Sequence, residues 1–147
     1  MKITILCAGR IKEKYWSDAI AEYSKRLTRY CRLEIEEVDD GPDTRSEAER
    51  MFKRIDRTAY IITLEIKGRK LDSVALSEKI ENLGVQGVSH IIFIIGGSDG
   101  LDESITACRN MALSFSDLTF PHQMMRVILL EQIYRSYRII NHEPYHK

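Results

Sequence analysis

The chain has 147 residues, enough for one compact domain and little more. Hydrophobic residues make up 44% and charged residues 30%, ordinary globular usage that excludes a disordered chain, a collagen-like repeat or a coiled-coil rod. Lysine plus arginine (22) balance aspartate plus glutamate (22), so this is not a protein that coats nucleic acid or anionic lipid by bulk charge.

Lys2 to Cys7 is a short apolar run ending near Gly9, and it reads as a buried opening strand. From Tyr15 to Tyr30 the residues Trp16, Ala19, Ile20, Tyr23, Leu27 and Tyr30 recur at three- and four-residue steps, one stripe of an amphipathic helix. Lys25, Arg26 and Arg29 crowd its C-terminal end, where positive charge suits the helix dipole. Leu33, Ile35 and Val38 among glutamates predict a second strand near a sheet edge, and Asp39-Asp40-Gly41-Pro42-Asp43 is a turn signal. Thr44 or Ser46 then caps a charged helix reaching about Ile55.

Tyr60–Leu64 is a third predicted strand. Asp72 or Ser73 caps a helix with Leu76, Ile80 and Leu83 on one face, and Gly84 is expected to stop it. Ile91–Ile95 has no polar face, as expected of a central strand covered by helices on both sides, and runs directly into Gly96-Gly97-Ser98-Asp99-Gly100. A short helix near Asp102–Arg109 precedes the runs Met111–Ser116 and Leu118–His122. Pro121 suits the first turn of a final helix, because its missing N–H has no intrahelical partner there. Met125, Leu129, Ile133, Tyr137 and Ile140 make one stripe of that helix and Val127, Leu130 and Tyr134 another. Two apolar faces imply two neighbours, and a subunit interface is an expectation. Strands alternating with helices predict an α/β fold with a largely parallel sheet.

Cys7, Cys31 and Cys108 are odd in number and far apart, so neither a disulfide framework nor a zinc site is indicated, and a reducing cytoplasm fits best. No apolar run approaches the roughly 18–20 residues of a membrane span, and the chain reads as soluble and unprocessed. Charge is unevenly placed. Residues 1–32 carry a net +5 and residues 121–147 a net +2, against −5 over residues 33–56 and −4 over residues 81–120. The two basic ends either form together a patch for a phosphate backbone or are simply solvated helix faces.

The glycine loop follows the strongest strand, at the end of a sheet where α/β proteins bind ligands. It lacks the Gly-Lys-Ser/Thr of a P-loop and the GxGxxG of a dinucleotide fold, whose glycines would also come earlier in the chain. By itself it is a ligand cradle or a tight turn. His122, at a helix start, is a capping or a catalytic histidine; Arg126, Arg135 and Arg138 grip phosphates or edge the final helix. His90 reads as structural. The tail from Asn141 to Lys147, with His142 and His146, is a fraying terminus or a functional strap.

Taken in order, Ile94-Ile95-Gly96-Gly97-Ser98-Asp99-Gly100, then Leu118-Thr119-Phe120-Pro121-His122-Gln123-Met124-Met125-Arg126-Val127, then a terminal Tyr145-His146-Lys147 decide more than any part does. The sequence closely resembles, over essentially its whole length, the SPOUT-class pseudouridine N3-methyltransferases of bacterial large-subunit ribosomal RNA. The resemblance implies a single domain over residues 1–147 with a SPOUT-type α/β knot, the C-terminal segment threading through a loop, a departure from the usual un-knotted chain. It implies S-adenosylmethionine as methyl donor, a cytoplasmic homodimer, and a pseudouridine in a stem-loop of 23S rRNA in the assembled ribosome as target; neither DNA nor a membrane is an expected partner.

Carried over by position, the donor pocket involves Leu64, Gly96, Gly97 and the run Phe115, Ser116, Asp117, Leu118, Thr119 and Phe120, with Leu64 and Leu118 as apolar walls. Methyl transfer from a sulfonium needs positioning and no metal. The acceptor N3 carries a proton in the neutral base, so a group must remove it or stabilise the anion. His146 and Tyr145, on a mobile tail expected to fold over the pocket once RNA arrives, are the first candidates. His122 is second, and Arg126 is expected to meet developing charge or phosphate. Two other classes remain: a non-enzymatic ribosome-binding factor, which would not need the glycine loop, and an enzyme using that loop for a phosphorylated metabolite.

Overall fold

A computed structural model describes residues 1–147. Five strands, β1 (Lys2–Ala8), β2 (Arg32–Val38), β3 (Tyr60–Lys70), β4 (His90–Ile95) and β5 (Met111–Ser114), form one sheet in the order β2-β1-β4-β3-β5. Every pairing is parallel. The helices are α1 (Lys14–Leu27), α2 (Thr44–Phe52), α3 (Ser73–Val85), α4 (Glu103–Ala107) and α5 (His122–Ile140). The expected α/β architecture is therefore present, with β2 on an edge and β4 in the middle. No helix is long and apolar enough to cross a membrane.

Alternate residues of a strand point to opposite faces, so strands apolar at every position build two cores. Ile3, Ile5, Cys7, Ile62, Ile91, Phe93 and Ile95 pack with Leu27 of α1, Leu76, Ile80 and Leu83 of α3, and Leu129, Leu130 and Ile133 of α5. Leu6, Ala8, Ile61, Ile92 and Ile94 face α2 and α4 through Ala48, Met51 and Ile105. Burial pushes the Cys7 thiol up to about 12, so this residue is packing rather than chemistry.

α5 lies between α1 and α3, and none of its residues is exposed. Leu129, Ile133, Tyr137 and Ile140 of one stripe and Leu130 and Tyr134 of the other pack in the core, while Met125 and Val127 are only partly buried. Three boundaries differ from expectation. Gly84 lies inside α3, which closes on Gln86 with Gly87 at a φ of +92° supplying the reversal. α2 ends at Phe52, short of Ile55, and Pro121 occupies the N-cap of α5 instead of its first turn.

The third strand is longer than its apolar run, because its polar second half pairs with β5 after an irregularity. Leu113 is in register with Leu64 and again with Arg69, so residues 65–68 bow out around the end of β5. Gly68 allows this approach: a methyl group there would lie 2.8 Å from the Ala112 carbonyl carbon.

Asp43 and Asp102 cap α2 and α4, accepting hydrogen bonds from the Ser46 and Ser104 N–H groups at 2.8 and 3.1 Å. Hydrogen bonds from Ser46 and Ser104 hold both carboxyls below their ordinary value. A depressed folded-state value means stability that is full above the unfolded value, about pH 4, and is lost as pH falls through the depressed value. Asparagine caps equally well and does not titrate. The D43N/D102N variant should therefore keep its stability at neutral pH and lose less than the parent on acidification, measured as urea midpoints at a series of pH values.

Candidate active site

At the carboxyl end of the sheet, the loops after all five strands share one edge. The glycine loop after β4 is closed on itself: Gly97 bridges Gly100, which has a φ of +80°, and a methyl group on Gly96 would lie 2.5 Å from the Gly100 carbonyl oxygen. Gly97 faces Ala8 at the end of β1 and Glu47 of α2. The glycines are thus required by the loop's own fold, and they lie toward the β1 side of the sheet.

Over the ends of β1 and β2 lies Arg126 of α5. It is 1% exposed. Its guanidinium donates to Glu37 Oε2 at 2.7 Å and to the carbonyls of Ala8 and Gly9 at 3.0 and 2.7 Å. The expected role in meeting phosphate or reaction charge is corrected accordingly: its Nη donors are consumed by the protein and no solvent reaches them. What it does is fix the N-terminal half of α5 to the strand ends. Glu37, one of several glutamates on an edge strand, gave no sequence signal for this partnership. His122 begins α5 beside this anchor, partly buried.

The cavity lies on the other side, between β5, α3 and α5. It has a volume of about 330 Å³, within the range of small-molecule sites. Leu71, Leu76, Leu113, Phe115, Phe120 and Ile128 form apolar walls, and Asp72, Ser73 and Gln132 form a polar rim. Among the residues expected in a donor pocket, Phe115 and Phe120 line this cavity, and Leu64 pairs with Leu113, which also lines it. Gly96 and Gly97 do not line it.

The loop joining β5 to α5 is tied by its own serines: Ser114 Oγ donates to the Ser116 carbonyl at 3.1 Å, and the Leu118 N–H donates to Ser116 Oγ at 3.0 Å. Asp117 is ion-paired with Lys70 at 2.6 Å and Thr119 is exposed. Leu118, expected as an apolar wall, is 69% exposed. The rim residues were missed because Asp72-Ser73 reads as a helix cap and Gln132 as one more polar position on a helix. Only packing α3 against α5 brings them together.

A hydrogen-bonded path leaves the cavity rim. Ser73 Oγ donates to Gln132 Oε1 at 2.8 Å, and Gln132 Nε2 donates to Glu131 Oε2 at 3.0 Å. Glu131 Oε1 accepts from Arg135 Nε at 3.0 Å and Nη2 at 2.6 Å, and from the Tyr145 hydroxyl at 3.1 Å. Arg135 Nη1 lies 3.2 Å from His146 Nδ1. The tail is therefore docked along α5 rather than frayed. The Tyr145 ring meets Tyr134 edge-on at 5.0 Å with Arg135 above it at 4.7 Å, and Glu143 joins Tyr30 and Arg138. His122 and His146 do not converge: thirteen residues of helix, about 20 Å, separate His122 from Arg135. The basic chain ends do meet, since Arg29 of the first segment pairs with Glu143 beside Arg138.

A family model described as "Predicted SPOUT methyltransferase" matches residues 1–146. The chain belongs to the SPOUT methyltransferase family. It is 54% identical to the ribosomal RNA large subunit methyltransferase H of Bifidobacterium adolescentis and 48% identical to that of Acetivibrio thermocellus, each covering 100% of both chains. A solved methylase family protein of Haemophilus influenzae shares the fold with a TM-score of 0.59 at 13% identity, over 99% of this chain and 70% of its own. As a SPOUT methyltransferase the chain uses S-adenosylmethionine as methyl donor. The cavity suits that molecule chemically, with apolar walls for an adenine ring and a rim carboxylate, hydroxyl and amide for its polar groups.

Removing Arg126 takes a donor from the carbonyls of Ala8 and Gly9 and leaves Glu37 Oε2 with only the Ile11 N–H. Arg126→Met should lower unfolding stability by about 3 kcal/mol, read from the urea midpoint, while the folded fraction still binds S-adenosylmethionine in calorimetry. Lost donor binding in a fully folded variant would return Arg126 to the chemistry.

Proposed function

We propose that the protein methylates N3 of a pseudouridine in a stem-loop of 23S rRNA, acting in the cytoplasm on the assembled ribosome as a homodimer of single-domain SPOUT chains. Family membership establishes the methyltransferase. The full-length relatives named as large-subunit rRNA methyltransferases support the substrate class. The observation that carries the reading is the cavity at the carboxyl end of the sheet, whose rim residue Gln132 is linked through Glu131 to Tyr145 and, through Arg135, to His146 of the tail.

When bound, S-adenosylmethionine would supply an electrophilic methyl group for in-line attack by an acceptor nitrogen, the N–C bond forming as the C–S bond pair leaves on sulfur. Leu113, Phe115, Phe120 and Ile128 exclude water from this cavity, and Asp72, Ser73 and Gln132 orient polar groups at its rim. Asp72 has a carboxylate oxygen to offer because its cap to the Ala75 N–H engages only Oδ1. The tail acts on the N3 proton or on the charge left when it departs. Exposed Ile66, Val74 and Leu118 lie on the segments flanking the cavity and are the apolar surface a second copy would cover.

Zero net charge also shapes recognition. With eight Lys/Arg over residues 1–32 as the main basic segment, the chain has few phosphate contacts to spend on free RNA and depends on the assembled particle for the remainder. A base in a loop is cheaper to extrude than one in a duplex.

Tritiated methyl transfer to ribosomes lacking the modification, with the product nucleoside identified by mass, tests the reading: N3-methylpseudouridine is expected, and another product or none would sink it. His146→Ala should reduce turnover at least tenfold, about 1.4 kcal/mol in the barrier, with S-adenosylmethionine affinity unchanged. An isolated stem-loop should be a poor substrate.

A further inference from the structure

The path from the cavity rim to the tail decides a chemical property of His146. An arginine guanidinium has five N–H donors and no acceptor. The imidazole nitrogen that meets it must therefore accept, and the nitrogen meeting Arg135 Nη1 is Nδ1. A neutral ring with Nδ1 as acceptor carries its proton on Nε2. Arg135 is itself held, because Nε and Nη2 both donate to Glu131 Oε1, and Glu131 is held from its other oxygen by Gln132. Tyr145 anchors the adjacent residue through the same carboxylate.

We propose that Glu131 and Arg135 are positioning residues that hold His146 as its Nε2–H tautomer, so that His146 assists transfer by donating a hydrogen bond to a carbonyl oxygen of the acceptor base. This rests on the reading given under Proposed function. N3 of pseudouridine lies between two carbonyl groups, and the charge left when its proton departs to water spreads onto both oxygens. A donor fixed beside one of them stabilises that anion and its transition state. A ring already protonated on Nε2, with Nδ1 turned to a guanidinium, has no free lone pair with which to take the N3 proton. Tyr145 is equally unsuited to act as that base, because burial and the neighbouring Glu131 carboxylate push its phenol up and its proton is committed to Glu131.

Long-range ¹H–¹⁵N correlation spectra of the labelled full-length protein, recorded well above the ordinary imidazole value of about 6.5, read the tautomer without any RNA. His142, which has no side-chain hydrogen bond in the chain, is the internal reference for an unbiased ring. His146 should show a fully pyridine-like Nδ1 and pyrrole-like Nε2, and Arg135→Gln should shift it to the averaged pattern of His142. A His146 pattern matching His142 in the parent protein, or a protonated Nδ1, overturns the proposal and leaves the methyltransfer reading intact.

In turnover, Arg135→Gln and Glu131→Gln should each lower kcat about tenfold with the KM for S-adenosylmethionine unchanged, as loss of orientation alone would. Unchanged kcat in both variants overturns the assignment of these residues. If the parent protein methylates no ribosomal RNA, the reading of the function fails together with the role given to His146, while the tautomer stands or falls on the spectra.

Discussion

The arrangement of the site depends on one buried charge. Arg126 enters α5 from the sheet side and is met by the Glu37 carboxylate and by two carbonyls at the end of β1. A guanidinium out of water is tolerated only with such compensation, and its fixed fork allows one orientation of the helix that carries it. Over the next two and a half turns, the same helix presents Ile128 and Gln132 to the cavity and Glu131 and Arg135 to the tail. The anchor touches neither cavity nor tail. It nevertheless sets the direction from which α5 serves both.

The cavity and the anchor lie over different strand ends. The glycine loop and the Arg126 anchor occupy the β1 side, where backbone packs on backbone and the remaining space is filled by protein. The cavity opens on the β3–β5 side, where the bow of residues 65–68 and the serine-tied loop before α5 keep the chain from closing over it. A parallel sheet brings all these loops to one edge. Which of them leaves room is decided by side chains arriving from the other layers.

The tail is held along α5. Seven residues after a helix would ordinarily fray. Here Glu143, Tyr145 and His146 each find a partner on α5 or α1, and the stacked Tyr30 and Tyr137 rings, 5.7 Å apart, support the surface beneath them. Since Arg29 and Arg138 meet on Glu143, part of the positive charge at the two chain ends is spent on holding the tail, and the remainder lies beside it.

Periodicity alone was enough for the layer plan. Apolar runs without a polar face required covered strands, three- and four-residue stripes required helices, and Asp72 marked a helix start through a local hydrogen bond, whereas α2 is capped by Asp43 and not by the expected Thr44 or Ser46. The ordered motifs in the second half of the chain carried the family, because they record a fixed succession of strand, loop, helix and tail. The sequence could not tell that α5 lies between α1 and α3, that Arg126 is an anchor, or that His146 faces Arg135. Each of these depends on which residues distant in the chain become neighbours. Burial and hydrogen bonding act through space, and the same arginine or histidine is a solvated charge, a buried strut or a held donor according to what the fold brings within about 3 Å of it.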